Sequence, residues 1–252
     1  AATSVAAIAF YAWYFSLYRY YPTWDRINYW SMTLRFNADI STSLVHTVKD
    51  VYWSINNSDY NDLLCWVAAL PTRFAPQWAA TFFVLTILFL LPASFIIAMF
   101  VYKHAKATSQ RQTMILVTVY AAILCLPAFV RPVLIGYDDV VVLLLFVIVL
   151  AGVFDPRILH STSLHVMLGI GLAGTFLLRR WFIYACLGLA VAAIIYWGCK
   201  IALTAANGRR ALLLSLIRAM LTIGITTMVC LLPFPGFIRR SLFGNQSVAY
   251  KA

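Results

Sequence analysis

The sequence predicts an all-α, polytopic integral membrane protein of about seven transmembrane helices, with amphipathic juxtamembrane helices in one large outer loop. Three observations predict it. Hydrophobic residues make up 63% of the 252 residues and charged residues 11%, with a mean hydropathy of +0.86, a balance that a water-exposed surface cannot carry. The chain divides into apolar runs at about 2 to 18, 77 to 102, 113 to 130, 139 to 154, 164 to 178, 181 to 199 and 211 to 233, most of them near the ~20 residues that cross a ~30 Å hydrocarbon core. The Lys and Arg residues behind the net charge of +11 are spread among the ends of these runs, as membrane-flanking anchors are. They do not line one polar face, which excludes nucleic acid as the expected partner.

The first run lacks a charged leading region and a small-residue cleavage site, so it reads as a retained span and not a signal peptide. The missing initiator Met and the ending Tyr250-Lys251-Ala252 predict a fragment: one transmembrane domain over 1 to 252, with a C-terminal part to follow. Residues 19 to 76 form the only large polar loop, where function is expected to sit. Within it Ile27, Trp30 and Leu34 recur at helical spacing, as do Ile40, Leu44, Val48, Tyr52 and Ile55. Both patterns predict amphipathic helices lying in the interface. A third, short helix over about 61 to 70 is expected to start at a Ser58-Asp59 cap and stop before Pro71. The runs 164 to 178 and 181 to 199 are separated by Arg179-Arg180, so they form either a tight hairpin or one broken helix. Of the five cysteines, only Cys65 lies in a sizeable loop, and their spacing writes no disulfide framework or CxxC site.

Alternating the spans from an inner N-terminus puts 19 to 76, 131 to 138 and the Arg179-Arg180 turn outside, with 103 to 112, 155 to 163 and 200 to 210 inside. Seven of the eight acidic residues then fall outside. The positive-inside rule supports this only weakly, because Lys103, Lys106, Arg111, Lys200, Arg209 and Arg210 are nearly matched by outer arginines.

There is no glutamate, so carboxylate chemistry must come from Asp25, Asp39, Asp50, Asp59, Asp62, Asp138, Asp139 or Asp155. Asp25 follows the first span in Tyr20-Tyr21-Pro22-Thr23-Trp24-Asp25-Arg26, where aromatic residues meet water. Partial desolvation there raises carboxylate basicity and suits a general base, while a helix cap is the alternative. Asp138 and Asp139 open the fourth span after Arg131, and a helix dipole accounts for one of them more readily than for both. Arg179 and Arg180 could grip phosphate oxygens with paired hydrogen bonds or act as plain interfacial anchors. Gly169-x-Gly171-x-x-Gly174 matches a dinucleotide fingerprint but sits inside a span with no strand before it, so close helix packing is expected. His160 and His165, five apart with no Cys or carboxylate pair nearby, do not write a metal site. Asn56-Asn57-Ser58 and Asn245-Gln246-Ser247 match the glycosylation acceptor pattern, which arises often by chance, and both would face outward.

One span, a long outer loop with an early Asp and flat helices, then a tight series of spans: this layout resembles the membrane glycosyltransferases of the GT-C fold, nearest the protein mannosyltransferase and aminoarabinose transferase branch. Asp25 matches the family's early outer-loop Asp. The stretch from Asn57, Asp59 and Asp62 to Leu70-Pro71 is similar to the family's juxtamembrane segment, with Tyr-Asn or Asn-Asp where paired prolines are usual. Arg131, Asp138 and Asp139 are similar to its third-to-fourth span junction, and Leu177-Leu178-Arg179-Arg180 to a later basic turn written with Lys. The resemblance covers roughly residues 1 to 200, and it rests on the order of the motifs.

The resemblance implies transfer of a sugar from a polyprenyl-phosphate donor to an acceptor hydroxyl on a lipid, glycan or protein, on the outer face of a bacterial cytoplasmic membrane. Asp25 would be the base and Arg179 or Arg180 would steady the departing lipid phosphate. Asp138 or Asp139 would position sugar or acceptor, or bind a divalent cation together with Asp25. The competing class is a transporter or lipid flippase, to which Pro92 in the second span and Arg218 in the seventh point. A non-catalytic assembly subunit is the third.

Overall fold

The computed structural model describes residues 2–17, 25–58, 62–74, 78–105, 109–125, 139–180 and 182–243, with backbone alone at 15–17, 25–27, 78–79, 109–110, 206–207 and 242–243. The described residues are helical throughout, with no strand among them. The helices are α1 (Ala2–Leu17), α2 (Asp25–Thr42), α3 (Leu44–Asn57), α4 (Leu63–Thr72), α5 (Trp78–Leu85), α6 (Leu91–His104), α7 (Ser109–Cys125), α8 (Val140–Val153), α9 (Thr162–Leu178), α10 (Phe182–Leu203), α11 (Ala206–Leu231) and α12 (Pro235–Phe243). A π-turn, Thr86–Leu90, joins α5 to α6, and a 3-10 turn, Pro156–Leu159, follows α8. Three stretches are long and apolar enough to cross a membrane: Ala80–His104, Phe182–Leu203 and Gly208–Leu231. Arg111–Cys125, Val140–Val153 and Thr162–Leu178 are apolar but shorter. These helices make the chain a membrane protein by length and composition.

The residues form two compact units, 1–51 with 62–148 and 52–61 with 149–252. In the first, α1 packs on α5 and α7, α2 on α4, α4 on α5, and α6 on α7. Tyr11 donates its hydroxyl to the carbonyl of Leu124 at 3.3 Å, and Ser4 Oγ meets Tyr120 Oη at 3.2 Å. An apolar helix thereby satisfies its polar groups inside the protein. The π-turn sits just before Pro92, whose missing N–H cannot serve the carbonyl of Leu88. The wide turn gives the chain another way to close: the N–H of Leu91 bonds back to Thr86 O, and Thr86 Oγ1 donates to Phe82 O at 2.7 Å.

In the second unit α9 packs closely along α11, and α10 touches each of them. Glycine makes the approach possible: a Cβ at Gly169 would lie 2.5 Å from Thr226 Cβ and 2.9 Å from the backbone oxygen of Ile223. Thr227 then donates across the interface to Gly169 O at 3.1 Å. Gly169, the first glycine of the 169 to 174 pattern, therefore serves helix packing, as was expected of the pattern.

The described part of the polar segment 19 to 76 is helical as expected, with different details. The second amphipathic pattern is cut at Ser43, whose Oγ accepts the N–H of His46 at 3.3 Å and so caps α3. Of its stripe, Leu44, Val48 and Tyr52 are exposed, as an interfacial helix allows, whereas Ile55 is buried together with Thr47, Val51 and Ser54. The Thr47 hydroxyl can enter the interior because it donates to Ser43 O at 2.9 Å, leaving the larger apolar side chains for a lipid interface. The short helix starts at Leu63 with Asp62 as its N-cap residue, and it passes through Pro71 to Thr72 instead of stopping short. Proline in a last turn costs one backbone bond, and Thr72 Oγ1 donates to Ala68 O at 2.8 Å beside the gap.

Replacing Gly169 with Leu is expected to destabilise the chain by about 1–3 kcal/mol through overpacking. Gly188→Leu on α10, where an added Cβ meets nothing within 4 Å, is expected to leave the melting temperature in detergent unchanged.

Candidate functional site

The acidic residues singled out in the sequence stand at helix starts of the first unit. Asp25 is the first residue of α2. Asp62 precedes α4 with a helical backbone (φ −83, ψ −1) and makes no side-chain cap bond. Asp139 immediately precedes α8 and is half-buried; its carbonyl accepts the N–H of Leu143 at 3.0 Å. Carboxylates at these places gain from the positive end of the helix dipole. Because α2 packs on α4, the helices that Asp25 and Asp62 open belong to one cluster. Arg131, Asp138 and Asp59 lie outside the described residues.

The basic corner belongs to the second unit. Arg179 ends α9 in an extended conformation (φ −153, ψ 101), and its N–H still reaches Thr175 O at 3.2 Å. The carbonyls of Arg179 and Arg180 then accept the N–H groups of Phe182 at 2.9 Å and Ile183 at 3.0 Å, starting α10. Two helices with a tight turn thus replace the alternative of one broken helix. Arg179 and Arg180 are both half-buried residues, adjacent in the chain, between successive apolar helices. This placement suits an anionic group at the membrane boundary.

The remaining carboxylates are engaged in surface pairs. Arg35 contacts Asp39 at 3.3 Å and Asp50 at 3.7 Å, with His46 at 3.5 Å from Asp50. At such exposure each pair contributes about 0–1 kcal/mol. Asp155 caps the 3-10 turn by accepting Arg157 N at 2.8 Å, and it takes Arg157 Nε and Nη2 at 3.1 and 2.9 Å. That hydrogen bonding raises the Arg157 pKa above its ordinary value.

Sequence reading missed two polar groups in the polar segment between the first two apolar runs. Asn37 follows Phe36 on the buried side of α2 that also carries Tyr29 and Thr33, and both its amide oxygen and nitrogen are buried without a hydrogen-bond partner. The indole nitrogen of Trp66 on α4 is in the same condition. Such groups cost roughly 1–3 kcal/mol each when left unsatisfied. Their helical spacing was visible in the sequence, but their burial depends on tertiary packing.

Asn56, whose glycosylation triplet is of a kind that arises often by chance, has its amide engaged within the chain. Its Oδ1 accepts Gly236 N at 3.1 Å and its Nδ2 donates to Tyr52 O at 3.2 Å. Arg240 donates to the carbonyls of Asn56 and Ile55, placing a cation at the negative end of α3. A Cβ at Gly236 would collide with the Asn56 backbone oxygen. The acceptor amide is therefore used to hold α12 against the end of α3, and Asn245 lies outside the described residues. Arg240→Ala is expected to cost about 1–3 kcal/mol by leaving those carbonyls unsatisfied, read as faster amide exchange at residues 236 to 241.

Comparison with protein-family models, with characterised proteins and with solved structures finds no match to this chain.

Proposed function

We propose that the chain is the membrane portion of a glycosyltransferase that moves a sugar from a polyprenyl-phosphate donor to an acceptor hydroxyl. In this reading it has about seven spans and works at the outer face of a bacterial cytoplasmic membrane. The observation that carries the reading is the placement of charge along the chain. Asp25 and Asp139 each open a helix at the edge of an apolar stretch, and the Arg179-Arg180 turn joins two apolar helices further on. The helical outer loop, with the apolar face of α3 turned outward, supports it further.

The chemistry follows from those charges. Asp25 takes the proton of the acceptor hydroxyl as its oxygen attacks the anomeric carbon, and the bond from that carbon to the lipid phosphate breaks. Arg179 and Arg180 stabilise the negative charge that the departing phosphate gains. Asp139, with Asp138, positions sugar or acceptor and helps to balance positive charge developing on the ring. A divalent cation held by Asp25 and Asp138 or Asp139 would steady the same phosphate.

The test is transfer of labelled sugar from a polyprenyl phosphate by purified protein. Asp25→Asn is expected to lower kcat at least about 100-fold with membrane expression unchanged; full retained activity rejects the role. Arg179→Ala with Arg180→Ala is expected to lower kcat/KM about tenfold or more, the equivalent of one lost charged hydrogen bond.

One feature favours a second reading, a transporter or lipid flippase. The π-turn and Pro92 interrupt the regular helix in the middle of the Ala80–His104 stretch, and interrupted spans host ligand sites in transporters. Movement of labelled polyprenyl lipid across liposomes without sugar transfer would establish that reading over the first.

A further inference from the structure

The second unit contains an apolar cleft that the transfer chemistry does not use. Close packing of α9 on α11 leaves α10 touching both along part of its length, and a space of about 400 Å³ remains between the three helices. Pockets of ~300–1,000 Å³ accommodate small organic ligands. Cys186, Leu189 and Trp197 of α10 face Ala219, Gly224 and Met228 of α11 across it. The hydroxyl of Thr227 in its wall is already committed to Gly169 O and Ile223 O. Because α10 and most of α11 are long and apolar enough to span a membrane, the cleft opens into hydrocarbon. From Cys186 to Trp197 α10 rises about 17 Å at ~1.5 Å per residue, close to the depth of one leaflet of a ~30 Å core.

One end of the cleft is cationic. Lys200 Nζ lies 4.9 Å from the ring centroid of Trp197, which lines the cleft, and 4.9 Å from that of Tyr196. Arg218 stands in the turn between the lining residues Leu216 and Ala219, and its Nη2 donates to Thr162 Oγ1 at 3.2 Å. Asp155, the acid next to this end in sequence, is already gripped by Arg157, so Lys200 and Arg218 leave the end with excess positive charge. Trp and Tyr beside Lys or Arg are what a headgroup region favours, and basic pockets between spans bind anionic headgroups.

We propose that this cleft holds one acyl chain of an anionic diacyl phospholipid, with its phosphate at Lys200 and Arg218. Apolar depth fits the chain, and the cationic mouth fits the charge. The site does not rest on the transferase reading. Lys200 is in the last turn of α10, whereas Arg180 precedes its first, so this phosphate sits at the opposite end of the helix from the one proposed for a sugar donor.

The test uses the full chain in phosphatidylcholine nanodiscs doped with phosphatidylglycerol that carries a diazirine in one acyl chain. After illumination, adducts are expected to concentrate on residues 186 to 197 and 216 to 228. They should be at least about fivefold more abundant than with phosphatidylcholine bearing the same diazirine. Lys200→Gln is expected to reduce that preference about fivefold. Gly224→Phe should abolish the adducts without loss of thermal stability, because a Cβ there meets nothing within 4 Å. Ala190→Trp on the facing helix supplies a second plug should the first variant fold poorly. Equal labelling by both lipids, or labelling indifferent to both plugs, overturns the proposal. So do cross-links joining two copies through α10 and α11, or displacement of the probe by undecaprenyl phosphate in preference to phosphatidylglycerol.

Discussion

A helix in hydrocarbon has no water to satisfy its polar groups, and this constraint runs through both units. The chain spends its hydroxyls on its own backbone. Thr47, Thr72, Thr86, Thr175 and Thr227 are all buried, and each donates to the carbonyl four residues before it, at 2.7 to 2.9 Å. A threonine treated in this way behaves as a small apolar residue with a branched side chain, and it can face another helix without an orphaned group. Apolar burial supplies little drive between helices in lipid. Close fit and internally satisfied hydroxyls are what remain to order them, and the glycine and threonine contact between α9 and α11 uses both.

The same constraint explains what was legible in the sequence. Apolar runs announce themselves because crossing a bilayer demands length and lack of charge, so α6, α10 and α11 were readable. The start of α2 at Asp25 and the hairpin at Arg179-Arg180 were within reach for a similar reason: polar residues that interrupt apolar runs must mark ends. The exposure of Leu44 and Val48 on α3 is what an interfacial helix requires. The burial of Thr47 and Ser54 on its other side was not legible, because it depends on what packs there.

Other features depended on partners far away in the chain. Asn56 reads as a glycosylation acceptor until Gly236 and Arg240 are seen against it, about 180 residues away. Asn37 and Trp66 read as ordinary members of amphipathic helices, and only tertiary packing makes their buried polar atoms conspicuous. Of the charged residues put forward from the sequence, Asp25, Asp139, Arg179 and Arg180 stand at the helix ends their sequence context implied, whereas Asp62 takes the N-cap place that was expected of Asp59. The fold therefore follows from solvent and local pattern, while its polar fittings follow from tertiary neighbours.

The π-turn at Thr86–Leu90 has a geometric consequence. Closing a turn over one extra residue offsets the two parts of the helix by about 100° of azimuth, the angle that one residue occupies at ~3.6 per turn. Ahead of the turn, α5 meets α1 and α4; beyond it, α6 meets α7. A straight rod would present a single seam along its whole length, whereas this one shows different neighbours different sides at different depths. Three partners can thus be served by one crossing of the bilayer, with no loop spent on changing direction.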